Sequence, residues 1–150
     1  MRIVAQRVSR AQVTVAGRVV GTIGPGLLLL VGVERGDGPA QVERAAHRFA
    51  TLRVFPDEDG KMNRGLAEVH GEVLVVSQFT LAGSIQRGRR PDFAAAAPPE
   101  EAEPLIGQLI QRLSQLGVRV STGVFGAMMD VELVNTGPVT LVWEDRSAPG

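Results

Sequence analysis

Hydroxyl and amide side chains close an apolar run at Val73-Leu74-Val75-Val76-Ser77-Gln78-Phe79-Thr80-Leu81. Polar groups at the end of a buried strand are the arrangement in which a rigid element can hold substrate atoms still. Strand alternation puts Ser77 and Phe79 on one face and Gln78 and Thr80 on the other, so both pairs reach one pocket only if the strand bends. The segment admits two readings: a polar rim that orients a substrate, or side chains that cap a strand end. The second candidate is main chain. Leu133-Val134-Asn135-Thr136-Gly137-Pro138-Val139-Thr140 sets a Gly-Pro pair between two strand-like runs, and a residue with no N–H to give belongs at an edge, a strand start or a tight turn. Glycine lets another molecule approach closely, and a cis X-Pro bond, which costs only about 0.5–1 kcal/mol, would aim the flanking carbonyls the same way. A plain turn between strands accounts for the pair equally well.

Other chemistries fit less well. A serine or threonine nucleophile needs a nearby base, and the chain has only His47 and His70. The first lies on the polar side of a helix pattern and the second precedes a turn glycine, so both are expected in solvent and no hydrolytic triad is expected. With no cysteine, two scattered histidines and no compact carboxylate cluster, no metal site and no cofactor are expected. Asp57-Glu58-Asp59, between Pro56 and Gly60, reads as a solvated turn. Arg87-Gly88-Arg89-Arg90-Pro91 concentrates positive charge just after the polar strand end. Guanidinium forks suit phosphate oxygens, so the cluster reads either as a phosphate grip or as solvated surface.

The elements that must position these groups follow from periodicity and turn chemistry. Ile3 to Val15, Val19 to Ile23 and Leu27 to Val33 read as three opening strands, the third with no polar face and hence covered on both sides. Asp37-Gly38-Pro39 supplies a cap and an N-terminal proline for a helix carrying Val42, Ala45, Ala46 and Phe49. Arg53 to Phe55 is a short strand, Lys61 to His70 a loop, and Ala82 to Pro99 a long loop. Glu100 to Leu116 is a second helix, with Leu105, Ile106, Leu109, Ile110, Leu113 and Leu116 on one stripe and Gly117 as its stop. Val118 to Ser121, Met129 to Asn135 and Val139 to Trp143 complete about seven strands. Two main helices among them predict an α+β fold of mostly antiparallel or mixed sheet.

A chain of 150 residues is long enough for one domain with a real core. Residues 1–150 are read as that domain, with a frayed tail from about 145 to 150. Sixteen basic and sixteen acidic residues cancel, so no global field draws the chain to nucleic acid or to an acidic membrane, and any polyanion must be bound locally. The charged start Met1-Arg2-Ile3-Val4-Ala5-Gln6-Arg7 is unlike a signal peptide, and the longest apolar run, Leu27 to Val31, is too short to span a bilayer. A cytoplasmic protein with no membrane partner is expected.

Ser77-Gln78-Phe79-Thr80-Leu81 and Asn135-Thr136-Gly137-Pro138-Val139-Thr140 closely resemble the two signature motifs of D-aminoacyl-tRNA deacylases. Gln6-Arg7-Val8, Gly60-Lys61-Met62-Asn63, Arg90-Pro91-Asp92-Phe93 and Gly123 to Met129 resemble that family too, in the same order over nearly the whole length. The resemblance implies the family's barrel-like fold and a homodimer in which the Gly137-cisPro138 corner of each subunit reaches the active site of the other. It implies hydrolysis of the ester of D-aminoacyl-tRNA, with glycyl-tRNA(Ala) also accepted, as chiral proofreading in translation. In that family the corner carbonyls bind the amino group and crowd out an L side chain, and the 2′-hydroxyl of the terminal adenosine assists the chemistry. By the same resemblance Ser77, Gln78, Phe79 and Thr80 form the catalytic strand, Phe125 and Met129 flank the adenosine, and Arg7 braces the corner. Arg87, Arg89 and Arg90 are candidates for tRNA contact. Thr136 stands where the family commonly has Asp. The competing expectation is a noncatalytic dimer that binds tRNA acceptor ends.

Overall fold

The computed structural model describes residues 1–146. Three strands open the chain: β1 (Arg2–Val15), β2 (Arg18–Ile23) and β3 (Gly26–Gly32). Along β3, Leu27, Leu29 and Val31 enter one core and Leu28 enters another on the opposite face, as expected for an apolar strand with no polar side. Helix α1 (Pro39–Thr51) follows, with Val42, Ala45, Ala46 and Phe49 buried. Its cap is Gly38, whose N–H is accepted by the Gln41 side chain at 2.8 Å. Asp37 is not the cap; its carboxylate accepts the Glu34 N–H at 2.7 Å.

Short strands β4 (Phe55–Pro56) and β5 (Met62–Arg64) pair as a ribbon, and α2 (Leu66–Val69) adds a single helical turn. Lys61 to His70 is therefore more structured than the loop expected there. Buried Leu66 provides the reason, since it anchors the turn in the helix-side core. Strand β6 (Glu72–Ser77) lies parallel to β3, and α3 (Pro99–Gln115) crosses back to β7 (Arg119–Thr122), parallel to β6. Ala102, Leu105, Ile106, Leu109 and Leu113 form the buried stripe of α3, which packs beside α1. Burying a leucine as fully as Leu109 or Leu113 contributes about 1.5–3 kcal/mol. Gly117, at φ +88°, stops the helix where expected.

The last strand, β8 (Asp130–Glu144), runs antiparallel to β1 along nearly its whole length. Two strands joined by a turn were expected here. The chain instead continues as one strand, with the Gly-Pro pair displaced into a bulge. The main sheet has the order β2-β1-β3-β6-β7, with β8 also on β1. Its far edges curl toward each other: Ser121 Oγ donates to the Thr22 carbonyl at 3.2 Å. A Cβ on Gly21 would lie 2.4 Å from the Thr122 carbonyl oxygen, so only glycine allows this approach. The result is a nearly closed, barrel-like mixed sheet of six strands with helices on one side, in keeping with the α+β expectation; with the β4-β5 ribbon, the described residues hold eight strands and three α-helices. The chain is still anchored at Asp145, whose N–H donates to the Met1 carbonyl at 2.9 Å. Residues 147–150 of the expected tail lie outside the described residues.

Candidate active site

Strand β6 stops at Ser77. Val73 and Val75 face the helix-side core while Leu74 and Val76 face the other, so alternation turns Ser77 toward the helices. There it borders a cavity of about 160 Å³ walled by Val75, Ile106, Gly107, Ile110 and Phe125, with Glu103 among its lining residues. At Gln78 (φ −142°, ψ 75°) the backbone leaves extended geometry and enters a 3-10 turn over Phe79–Ala82. The expected alternation through Thr80 fails for that reason. The Leu81 N–H donates to the Gln78 carbonyl at 3.1 Å and the Gly83 N–H to the Thr80 carbonyl at 2.9 Å. The first N–H groups of such a turn have no carbonyl behind them, and those of Phe79 and Thr80 have no acceptor among the described residues. Gln78 Nε2 donates to Thr80 Oγ1. Phe79, 55% exposed, packs edge-on against Phe93 with ring centres 5.2 Å apart.

The Gly-Pro corner is a bulge held from two sides. Gln6 pairs with Thr140 and Val8 with Asn135, so Thr136 to Val139 all stand opposite Arg7. The Gly137–Pro138 bond is cis, Gly137 sits at φ +136°, and Thr136, Gly137 and Pro138 are exposed. Arg7 Nε donates to the Thr136 carbonyl at 2.9 Å and Arg7 Nη1 to the Val54 carbonyl at 2.7 Å. Asn135, which sequence reasoning passed over, spans the bulge from inside, accepting the Val139 N–H through Oδ1 at 2.7 Å. A legible signal existed: a short amide side chain beside Gly-Pro can bond the nearby backbone.

Sheet register separates the corner from Ser77 within one chain. Arg7 is level with Leu27 and Val73, whereas Ser77 is level with Val31. Four residues of strand amount to roughly 13 Å, and three strand spacings of about 4.8 Å lie between β8 and β6. Of the expected site residues, the fold brings Ser77 and Phe125 together in one cavity and sets Gln78, Phe79 and Thr80 in the turn beside it. Met129 does not line that cavity itself, but its sulfur rests over Gly123, which does, while the side chain packs against the second core.

The arginine cluster tips an irregular hairpin. Ser84 and Asp92 exchange backbone hydrogen bonds of 2.7 and 2.8 Å at its base, and Gly88 turns at φ +69°. Arg87, Arg89 and Arg90 are exposed and form no ion pair among the described residues. The histidines lie apart from these groups. His47 meets Glu43 at 2.9 Å on the outside of α1, where Arg112 Nε also bonds Glu43 at 2.9 Å and holds its carboxyl below the usual range. His70 ends α2 in the left-handed region. Asp57 accepts the N–H groups of Asp59 and Lys61 at 2.9 and 3.0 Å, and the Lys61 N–H is the main reason that its carboxyl titrates low. Among the described residues no cluster of three metal-ligating side chains occurs, and no helix is long and apolar enough to cross a membrane. Three larger clefts, of about 490, 400 and 210 Å³, contain none of the expected site residues.

Comparison with known proteins converges on one family. The family model described as D-Tyr-tRNA(Tyr) deacylase matches residues 4–144. The chain is 59% identical over 147 residues to a D-aminoacyl-tRNA deacylase of Thermomicrobium roseum, covering 98% of this chain and 95% of that protein. It is 57% identical over 142 residues to one from Symbiobacterium thermophilum, covering 95% and 94%. A solved structure titled c-Myc DNA Unwinding Element Binding Protein superposes with a TM-score of 0.91 at 38% identity, covering 98% of this chain and all of that one. A probable eukaryotic D-amino acid tRNA deacylase shares the fold, with a TM-score of 0.79 at 17% identity over 95% and 97% of the two chains. On a family match that takes in the polar strand end, the braced corner and the sheet that carries both, this chain belongs to the D-Tyr-tRNA(Tyr) deacylase family.

Proposed function

We propose that this chain works as a homodimer in which the Gly137-Pro138 corner of one subunit completes the Ser77 site of the other, admitting D-aminoacyl and glycyl esters of tRNA and refusing L ones. The observation that carries the proposal is the corner itself: exposed, braced by Arg7 and set far from Ser77 in its own subunit. A corner built for contact and remote from its own pocket finds a use in a neighbour's pocket. Exposed Val134, Leu141 and Val142 on β8 give two copies apolar surface to bury.

In this reading the aminoacyl group enters beside Ser77, and the corner carbonyls accept its ammonium. An L side chain would then be directed into main chain, whereas a D side chain points to solvent. Selection by backbone is indifferent to side-chain identity, and glycine, with no side chain to exclude, passes. Phe125 and Met129 take the terminal adenosine. The unpaired Phe79 and Thr80 amides, with Ser77 and Gln78, receive the negative charge that builds on the ester's carbonyl oxygen as water adds. The adenosine 2′-hydroxyl assists the proton transfers, so no protein base is required. Exposed Arg87, Arg89 and Arg90 contact tRNA phosphates. Such proofreading belongs in the cytoplasm, where tRNA is charged.

Matched D- and L-aminoacyl-tRNA, with glycyl-tRNA(Ala) as a third substrate, test the proposal in single-turnover hydrolysis, alongside light scattering for mass. Turnover of the D ester and glycyl ester by a dimer, with the L ester spared, is the expected result. Equal cleavage of both hands, binding without turnover, or full activity as a monomer would overturn it.

A further inference from the structure

We infer that Asn135 is a positioning residue for stereochemical selection, its side-chain amide standing in for the strand partner that the Gly-Pro bulge lacks. The inference rests on the proposed role of the corner as selector. An ordinary bulge sets two residues against one, whereas Thr136 to Val139 all stand opposite Arg7. So long an excursion loses its ladder bonds and would sway unless something closed its base. Asn135 closes it. Its Oδ1 accepts the Val139 N–H at 2.7 Å, while Nδ2 donates to the Val139 carbonyl at 3.2 Å and to Thr140 Oγ1 at 2.9 Å. One amide thus takes both polar groups of a single residue, the pattern by which a residue in an antiparallel pair exchanges bonds with its opposite number.

Val139 is buried, so water is poorly placed to replace those bonds. Arg7 grips the same bulge independently through the Thr136 carbonyl. With Arg7 alone, the entry to the corner is fixed and its exit is free. A selector of handedness works by exclusion, so a swaying exit admits L substrate sooner than it loses D substrate.

The test is single-turnover hydrolysis of D- and L-tyrosyl-tRNA by the full chain, with thermal melting in parallel. Asn135→Ala should lower the D-over-L ratio about tenfold, roughly the factor one net hydrogen bond supplies, chiefly by raising the L rate. Asn135→Asp keeps the acceptor for the Val139 N–H and loses the donor, and Thr140→Val removes one partner without touching Asn135. Both should lower the ratio by less, and they carry the measurement if Asn135→Ala does not fold. An unchanged ratio in a folded variant, or D and L rates falling together in step with lost folded protein, overturns the inference. Gly137→Ala serves as the reference. If it shifts the ratio and the Asn135 variants do not, only the role of Asn135 fails; if it too leaves the ratio alone, the selector reading itself fails.

Discussion

Replacing Gly137 by alanine tests the corner most directly. The added Cβ would lie 2.9 Å from Val139 Cγ2, 3.0 Å from Arg7 Nη2 and 3.2 Å from the Val139 nitrogen. None of these neighbours yields easily. Val139 is buried and stiff at χ1, and Arg7 is tethered to two carbonyls. At φ +136° an L residue adds backbone strain of about 1–3 kcal/mol, and crowding in a packed site costs a further 1–3 kcal/mol or so. The expected loss of stability is therefore about 2–4 kcal/mol after partial relaxation, a fall in thermal midpoint on the order of 10 °C. Relaxation must move the corner, and a displacement of about 1 Å in a positioning group can cost roughly 100-fold in rate. Single-turnover hydrolysis of D- and L-aminoacyl-tRNA below the melting transition separates the two effects. We expect kcat/KM for the D ester to fall 10- to 100-fold, roughly, and the D-over-L ratio to fall with it. A folded Gly137→Ala enzyme with wild-type rate and selectivity would refute the reasoning, because the steric conflict would then have been resolved without disturbing anything that touches substrate.

Other outcomes follow from the same geometry. Converting Arg87, Arg89 and Arg90 to alanine should raise KM for tRNA and leave kcat unchanged; for every phosphate no longer neutralised, the slope of log KM against log salt should flatten by about 0.7–0.9, and an unaltered slope would count against RNA binding there. Thr80→Val should retain turnover within about tenfold, since no imidazole stands near it, and mass spectrometry should find no acyl-enzyme. Leu109→Ala, at a fully buried position on α3, should cost about 2–5 kcal/mol by denaturant titration. Arg112 and Arg10 depress the carboxyl titrations of Glu43 and Glu132. A depressed folded value gives stability that is present above the ordinary carboxylate value of 4.5 and is lost as pH falls below it. Arg112→Met should accordingly reduce the dependence of stability on pH in that acid range, measured by melting from pH 3 to 7, and an unchanged acid limb would remove the pair from the account.

Local pattern carried much of the fold. The unbroken apolar run of β3, the 3.6-residue stripes of α1 and α3 and the stop at Gly117 all depend on neighbours within one or two turns, and each lies where its pattern put it. What escaped depends on partners distant in the chain. Proline at 138 reads locally as a break, yet β1 supplies a partner on both sides of it, so β8 runs through and the misfit is pushed out as a bulge. Leu66 looks like one apolar residue in a polar stretch; only a core assembled elsewhere makes it nucleate α2. The site was legible as residue types, because hydroxyl and amide groups at a strand end and Gly-Pro inside a strand are conspicuous. Its geometry was not. The turn at Gln78 breaks the alternation that residue spacing assumes, and Asn135 acts through backbone groups that no side-chain pattern records.

The excursion in β8 also bears on solubility. Among the described residues β8 is an edge strand that pairs only with β1, and it displays Val134, Leu141 and Val142 to solvent. A long uninterrupted rim of that kind invites foreign chains to zip on and propagate into fibres. Here the rim is cut into two short lengths, with a protruding imide that has no N–H to offer. An incoming strand would lose its register at the gap, so the kink blocks runaway stacking.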